Sequence, residues 1–127
     1  VIMTSHVHMI IGSNGRELDK IVGEMKSFTS RSIRKILENH KAESRKEWII
    51  WMMQRAGLKN GNNKDWQLWQ QNNQPIELFN SEIFHQKLDY LHYNPVEAGF
   101  VEKEEDWIYS SARDFHGIKG LIELSYI

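Results

Sequence analysis

The sequence predicts an α+β fold, and three observations carry that reading. A long stretch from Arg16 to Asn39 has apolar residues recurring at threes and fours, the period of an amphipathic helix. Short strand-like runs stand at the start of the chain, Val1-Ile2-Met3 and Val7 to Ile11, on either side of Thr4-Ser5. A third stretch, Trp66 to Leu78, alternates large apolar and polar residues with a strand's period of two.

In chain order, residues 1–11 read as a hairpin or a bulged strand. Gly12-Ser13-Asn14-Gly15 is a loop signal. The helix that follows places Leu18, Ile21, Val22, Met25, Phe28, Ile33, Ile36 and Leu37 on one side, with Thr29-Ser30 as a point where it could break. Lys41 to Lys59 reads as a second helix around the apolar cluster Trp48 to Met53. Gly57 ends it, and a polar loop through Asn60 to Asn63 follows. Trp66 to Gln71 is expected as strand, Asn72 to Pro75 as a turn, and Ile76-Glu77-Leu78 as a short extended piece.

Asn80 is a good N-cap for a helix beginning at Ser81. Phe84, Leu88 and Leu91 form its buried stripe, with Ile83 at the edge. Pro95 disfavours helical backbone at Asn94, so the helix is expected to stop there. Val96 to Val101 then makes a short turn closed by Gly99. Trp107-Ile108-Tyr109 packs back on the core, and Ser110 caps a last short helix to Phe115. The tail through Leu121, Ile122, Leu124 and on to Ile127 reads as a strand or a partner-binding segment.

Composition narrows the classes. The 127 residues fit one domain, and the 40% hydrophobic and 26% charged content is that of an ordinary globular chain. No apolar run approaches the ~18 residues of a membrane span, and no signal peptide is evident. There is no cysteine, so disulfides and thiolate metal sites are excluded and a reducing compartment suits the chain. The net charge of −1 gives no hint of nucleic acid. Its distribution does: Arg16 to Lys46 carries nine Lys or Arg against five Asp or Glu. Such a stretch can follow a phosphate backbone or can simply be a solvated face.

Two short motifs bear chemistry. On a strand, His6 and His8 of His6-Val7-His8 share a face, roughly 6–7 Å apart, and can close on one divalent cation. Two strand histidines that are merely hydrogen-bonded or exposed are the plainer alternative. On a helix, Tyr90 and Asn94 lie one turn apart. If the Asn94 amide oxygen joins the two imidazoles on a cation, the Tyr90 hydroxyl is delivered beside that cation. Tyr90 as a core or boundary aromatic is the plainer alternative. Tyr93 is the rival hydroxyl, but Glu97 rather than an amide follows it one turn later.

Tyr90-Leu91-His92-Tyr93-Asn94-Pro95-Val96-Glu97-Ala98-Gly99-Phe100-Val101, then Glu105-Asp106-Trp107 and Tyr109-Ser110-Ser111-Ala112, resembles the C-terminal half of the single-tyrosine HUH transposases, nearest to the REP-associated tyrosine transposases. Val1 to Ile11 resembles their His-hydrophobic-His strand, although Thr4-Ser5 stands where Pro-Asn or Thr-Asn is more usual. The resemblance covers nearly the whole chain in the right order.

It implies a ferredoxin-like fold, an antiparallel sheet with helices packed on one face. The first strand and helix of that fold would be missing here, so an N-terminal truncation is expected. It also implies a metal-dependent enzyme that cleaves single-stranded, hairpin-bearing DNA through a 5′-phosphotyrosine intermediate. Carried over, Tyr90 is the nucleophile and His6, His8 and Asn94 hold a divalent metal, Mg or Mn, Asn being the third ligand of the REP-associated group. Lys87, Lys26, Arg31 and Arg34 are candidate DNA contacts. The implied partners are single-stranded or hairpin DNA and a second copy of the chain, with swapping as one route to that dimer, in the bacterial cytoplasm with no membrane association. The rival expectations are a DNA-hairpin-binding module or inactive transposase remnant, and a metal-stabilised structural protein.

Overall fold

The computed structural model describes residues 1–61 and 65–125. The expected polar loop at Asn62 and Asn63 and the tail end at Tyr126 and Ile127 lie outside the described residues. The chain divides into two compact units, one made of Val1–Gly12 with Ile76–Ile127 and the other of Ser13–Pro75.

The Ser13–Pro75 unit holds α1 (Leu18–Asn39) and α2 (Lys46–Leu58). Both follow the apolar periodicity, and α1 runs through Thr29-Ser30 without a break. The Thr29 hydroxyl donates to the Met25 carbonyl at 2.8 Å, so it turns back along its own helix rather than interrupting it. In α2, Met53 and Gly57 are the buried residues. Gly57 is needed for closeness: a Cβ there would stand 2.4 Å from the Trp66 backbone nitrogen and Cα. Trp48 and Trp51, in the apolar cluster of this helix, are 58% and 50% exposed, whereas Trp66 and Trp69 are half-buried.

The other unit holds α3 (Ser81–Glu97), a 3-10 turn (Glu104–Asp106) and α4 (Ala112–Phe115). Asn80 caps α3 as expected, its side-chain oxygen accepting from the Ile83 N–H at 2.8 Å. Leu88 and Leu91 are buried, and Ile83 and Phe84 half-buried. With Met3, Pro95 and Ala112 they form the core of this unit.

The end of α3 differs from expectation. The helix passes through Pro95 and stops at Glu97. The bias against helical backbone before proline is a preference with a modest cost, and three features outweigh it. Pro95 is fully buried. The Gly99 N–H donates to the Val96 carbonyl and the Phe100 N–H to the Pro95 carbonyl, at 2.9 and 3.0 Å. Gly99 adopts φ +73°, the left-handed conformation that closes this paired C-terminal cap.

The ferredoxin-like antiparallel sheet is absent. Among the described residues the only β pairing is one isolated antiparallel bridge, Ile2 with Val7, so the expectation of an α+β fold with a sheet, lacking its first strand and helix, is overturned. The reason is where each extended segment sends its backbone and side chains. At the N-terminus the chain turns sharply at Thr4-Ser5, with Met3 N–H donating to the His6 carbonyl at 2.9 Å and His8 N–H to the Val1 carbonyl at 3.1 Å. The Ile2 N–H goes instead to the Tyr109 carbonyl at 2.9 Å. This is the expected hairpin in miniature, with no third strand.

The Trp66–Gln71 stretch is no strand either. Gln67 N–H donates to the Met53 carbonyl at 2.8 Å, the Trp69 indole to the Thr29 hydroxyl at 2.8 Å, and Trp66 lies under the Arg34 guanidinium at 4.9 Å. Large side chains that could have lined a sheet are engaged with helices. Residues 119–125 of the tail are irregular as well. No helix among the described residues is long and apolar enough to cross a membrane.

Candidate functional site

The N-terminal turn and α3 belong to one unit, and they bring His6, His8 and Tyr90 together. Thr4-Ser5 reverses the chain so that His6, Val7 and His8 run back beside Val1 and Ile2. Alternation then sends both imidazoles to one side, and their ring centroids are 4.8 Å apart, edge to face. The Tyr90 ring stands edge-on to His8 at 5.4 Å, across a separation of 82 positions in the chain. Tyr90 is 51% exposed, so its phenol is open to an incoming molecule. Leu88 and Leu91, flanking it on α3, take the buried side of the helix and leave Tyr90 outside.

Electrostatics favour a neutral His8. Its pKa lies below the ordinary value, first because burial penalises the charged ring and second because a charged His6 would repel it. A neutral imidazole offers a lone pair, which ligation requires. His6 is exposed, with Nδ1 3.1 Å from the Ser5 hydroxyl. If Nδ1 carries the ring proton toward that oxygen, Nε2 is left free as a donor atom.

Asn94 follows Tyr90 by one turn and is 9% exposed. Two imidazoles and an amide oxygen fit a borderline cation such as Mn better than Mg, which prefers oxygen and retains water. Among the described residues no three His, Asp or Glu side chains gather into a metal cage, so an amide or solvent oxygen would have to complete the set.

The remaining sequence candidates divide. Lys87 is half-buried on α3, three positions before Tyr90. Lys26 is engaged within its own unit, donating to the Gln70 carbonyl and the Asn73 side chain, both at 2.6 Å. Arg34 pairs with Glu38 at 2.8 Å and covers Trp66. Arg31 is exposed and has no partner among the described residues. Tyr93 is as open as Tyr90 but makes no ring contact with a described residue.

Neither His92 nor His116 has a partner that the sequence pattern names. His92 is buried, its Nε2 2.9 Å from the Ser111 hydroxyl and its ring edge-on to Phe115 at 5.0 Å. Burial holds its pKa below the ordinary value. His116 donates from Nδ1 to the Ala112 carbonyl at 2.9 Å, and its Nε2 faces Glu104 and Glu105 at 3.7 and 3.9 Å. Its pKa is raised, first by that carbonyl and then by the two carboxylates. The His116–Ala112 bond spans one helical turn, but no periodicity links His92 to Ser111 or His116 to Glu104 and Glu105.

Comparison with family models, with curated proteins and with solved structures finds no match for this chain.

Proposed function

We propose that the chain is a metal-dependent tyrosine nuclease and strand transferase for single-stranded, hairpin-bearing DNA, acting in the cytoplasm. One observation carries the reading: an exposed Tyr90 in ring contact with His8, itself in contact with His6. In this reading the Tyr90 oxygen attacks a DNA phosphorus and the bond to the 3′ oxygen breaks. The phenolic proton ends on the released 3′-hydroxyl, and the 5′ strand stays on Tyr90 as a phosphodiester. That linkage keeps the energy of the cleaved bond, so rejoining needs no nucleotide cofactor. His6, His8 and Asn94 would hold the divalent cation. When bound, it polarises the phosphate and offsets the charge that builds up in the transition state. This assignment needs no sheet, since the turn at Thr4-Ser5 and helix α3 suffice to supply every named group.

End-labelled single-stranded hairpin DNA incubated with the protein and Mn tests it. The expected result is a covalent protein–DNA band, absent in Tyr90→Phe and much reduced in His8→Ala. A band that survives Tyr90→Phe, or binding with no cleavage by the unaltered protein, contradicts the enzymatic reading. The second outcome would instead support a hairpin-binding module.

A further inference from the structure

The His6-Val7-His8 arm is held by little. Its single bridge, Ile2 with Val7, and the Met3–His6 and His8–Val1 bonds lie within the N-terminal turn itself. Two of the bonds that anchor the arm's first half converge on one residue from one direction. The Ile2 N–H donates to the Tyr109 carbonyl and the Trp107 indole N–H donates to the Ile2 carbonyl, both at 2.9 Å. One hydrogen bond is a pivot, whereas two on the donor and acceptor of the same peptide segment fix its orientation.

Trp107 is itself well placed. Its ring stacks on Phe100 at 5.4 Å and 26° and stands edge-on to Tyr109 at 6.0 Å. Phe100 in turn donates its N–H to Pro95 at the closing cap of α3. A closed circuit results. The end of α3 sets Phe100, Phe100 sets Trp107, Trp107 sets Ile2, the turn carries the chain to His8, and His8 meets Tyr90 on α3 again.

We infer that Trp107 is the positioning residue of the candidate site, and that its indole N–H, rather than its ring, aligns the histidine arm with Tyr90. The inference rests on the reading of His6, His8 and Tyr90 as the site, and it touches neither metal nor DNA directly. It predicts that removing the N–H alone loosens the arm while α3 and its core stay folded.

The test compares Trp107→Phe with a protein carrying 3-benzothienylalanine at 107, which keeps the bicyclic shape and lacks the N–H. A protein carrying 5-fluorotryptophan there keeps the N–H and serves as the conservative rescue. The first readout is the nuclear Overhauser contact between the His8 and Tyr90 rings in metal-free protein. The second is Mn affinity by titration, with helical circular dichroism as the fold control. In the benzothienyl protein the ring contact should weaken and Mn affinity should fall about tenfold, the low end of what losing a supporting contact costs a metal site. The fluorotryptophan protein should match the unaltered one. Unchanged ring contact in a folded benzothienyl protein overturns the inference. If Trp107→Phe fails to fold, the isostere decides. If the unaltered protein binds no Mn, the proposed function falls, but the ring contact still decides whether Trp107 positions the arm.

Discussion

The two units use their apolar residues differently. The Val1–Gly12 and Ile76–Ile127 unit buries Met3, Leu88, Leu91, Pro95 and Ala112, and with them the polar His92, Asn94 and Ser110. The Ser13–Pro75 unit buries Met53 and Gly57, and its longest helix, α1, buries nothing among 22 residues. Phe28 and Ile36, central to the periodic stripe of α1, are 66% and 61% exposed. Apolar periodicity therefore states which side of a helix would be covered, not that anything covers it. The unit with the smaller helical content carries the better core, and it also carries the chemistry-bearing side chains.

The sharpest way to break this contrast is a pair of truncations. Leu91→Ala should destabilise its unit by about 2–5 kcal/mol, because a packed side chain is replaced by a cavity. Ile36→Ala on α1 should change stability by no more than about 0.5 kcal/mol, as for an exposed position. Urea unfolding with residue-resolved amide exchange checks both, and equal costs would mean that α1 is covered in solution.

A pair of glycines sharpens it next. Gly57→Ala forces a methyl against the Trp66 backbone, which cannot swing aside, and should cost about 1–3 kcal/mol. Gly23→Ala on α1 meets nothing within 4 Å and should stabilise by about 0.5–1 kcal/mol through helix propensity. Thermal unfolding of the two variants should move in opposite directions. A smaller effect comes from the start of α3: Asn80→Ala loses the bond to Ile83 N–H and should cost about 1 kcal/mol, read as fraying of the first turn in amide exchange.

The smallest effects concern pH. His116 has a raised pKa, so its contribution is complete below 6.5 and is lost as pH rises through the folded value above it. His8 and His92 have lowered values, so their contributions are present above 6.5 and are lost as pH falls toward the folded values. His116→Gln should therefore lower stability by a constant amount below 6.5, where the contribution is complete, and flatten the decline on the alkaline side. Stability measured between pH 5 and 8 decides this, and an unaltered alkaline limb would refute the raised value and with it the joint action of the Ala112 carbonyl, Glu105 and Glu104 on this ring.

The helices and the Asn80 cap were legible in the sequence because their signals are local: Asn80, three positions before Ile83, names its partner within a few residues. The pairing of His6 with His8 was legible for the same reason, since a period of two needs no knowledge of the rest of the chain. The stop expected at Asn94 and the cap expected of Ser110 were misread, since α3 runs on to Glu97 and the cap residue of α4 is Ser111. The sheet was misjudged because a strand's partners are distant. Trp66, Gln67 and Trp69 alternate as strand residues do, yet Arg34 covers the Trp66 ring, the Met53 carbonyl takes the Gln67 N–H and the Thr29 hydroxyl takes the Trp69 indole. The Tyr90–His8 meeting was reached through a family resemblance rather than through spacing. The Trp107–Ile2 bond was not reached at all, because nothing in Trp107 marks its indole for a carbonyl 105 residues away.

The most direct test is peptide mapping of the protein after reaction with single-stranded hairpin DNA and Mn. Mass spectrometry should find the nucleotide adduct on Tyr90 and nowhere else. An adduct on Tyr93, or a protein that cuts DNA while every tyrosine stays unmodified, would contradict the account.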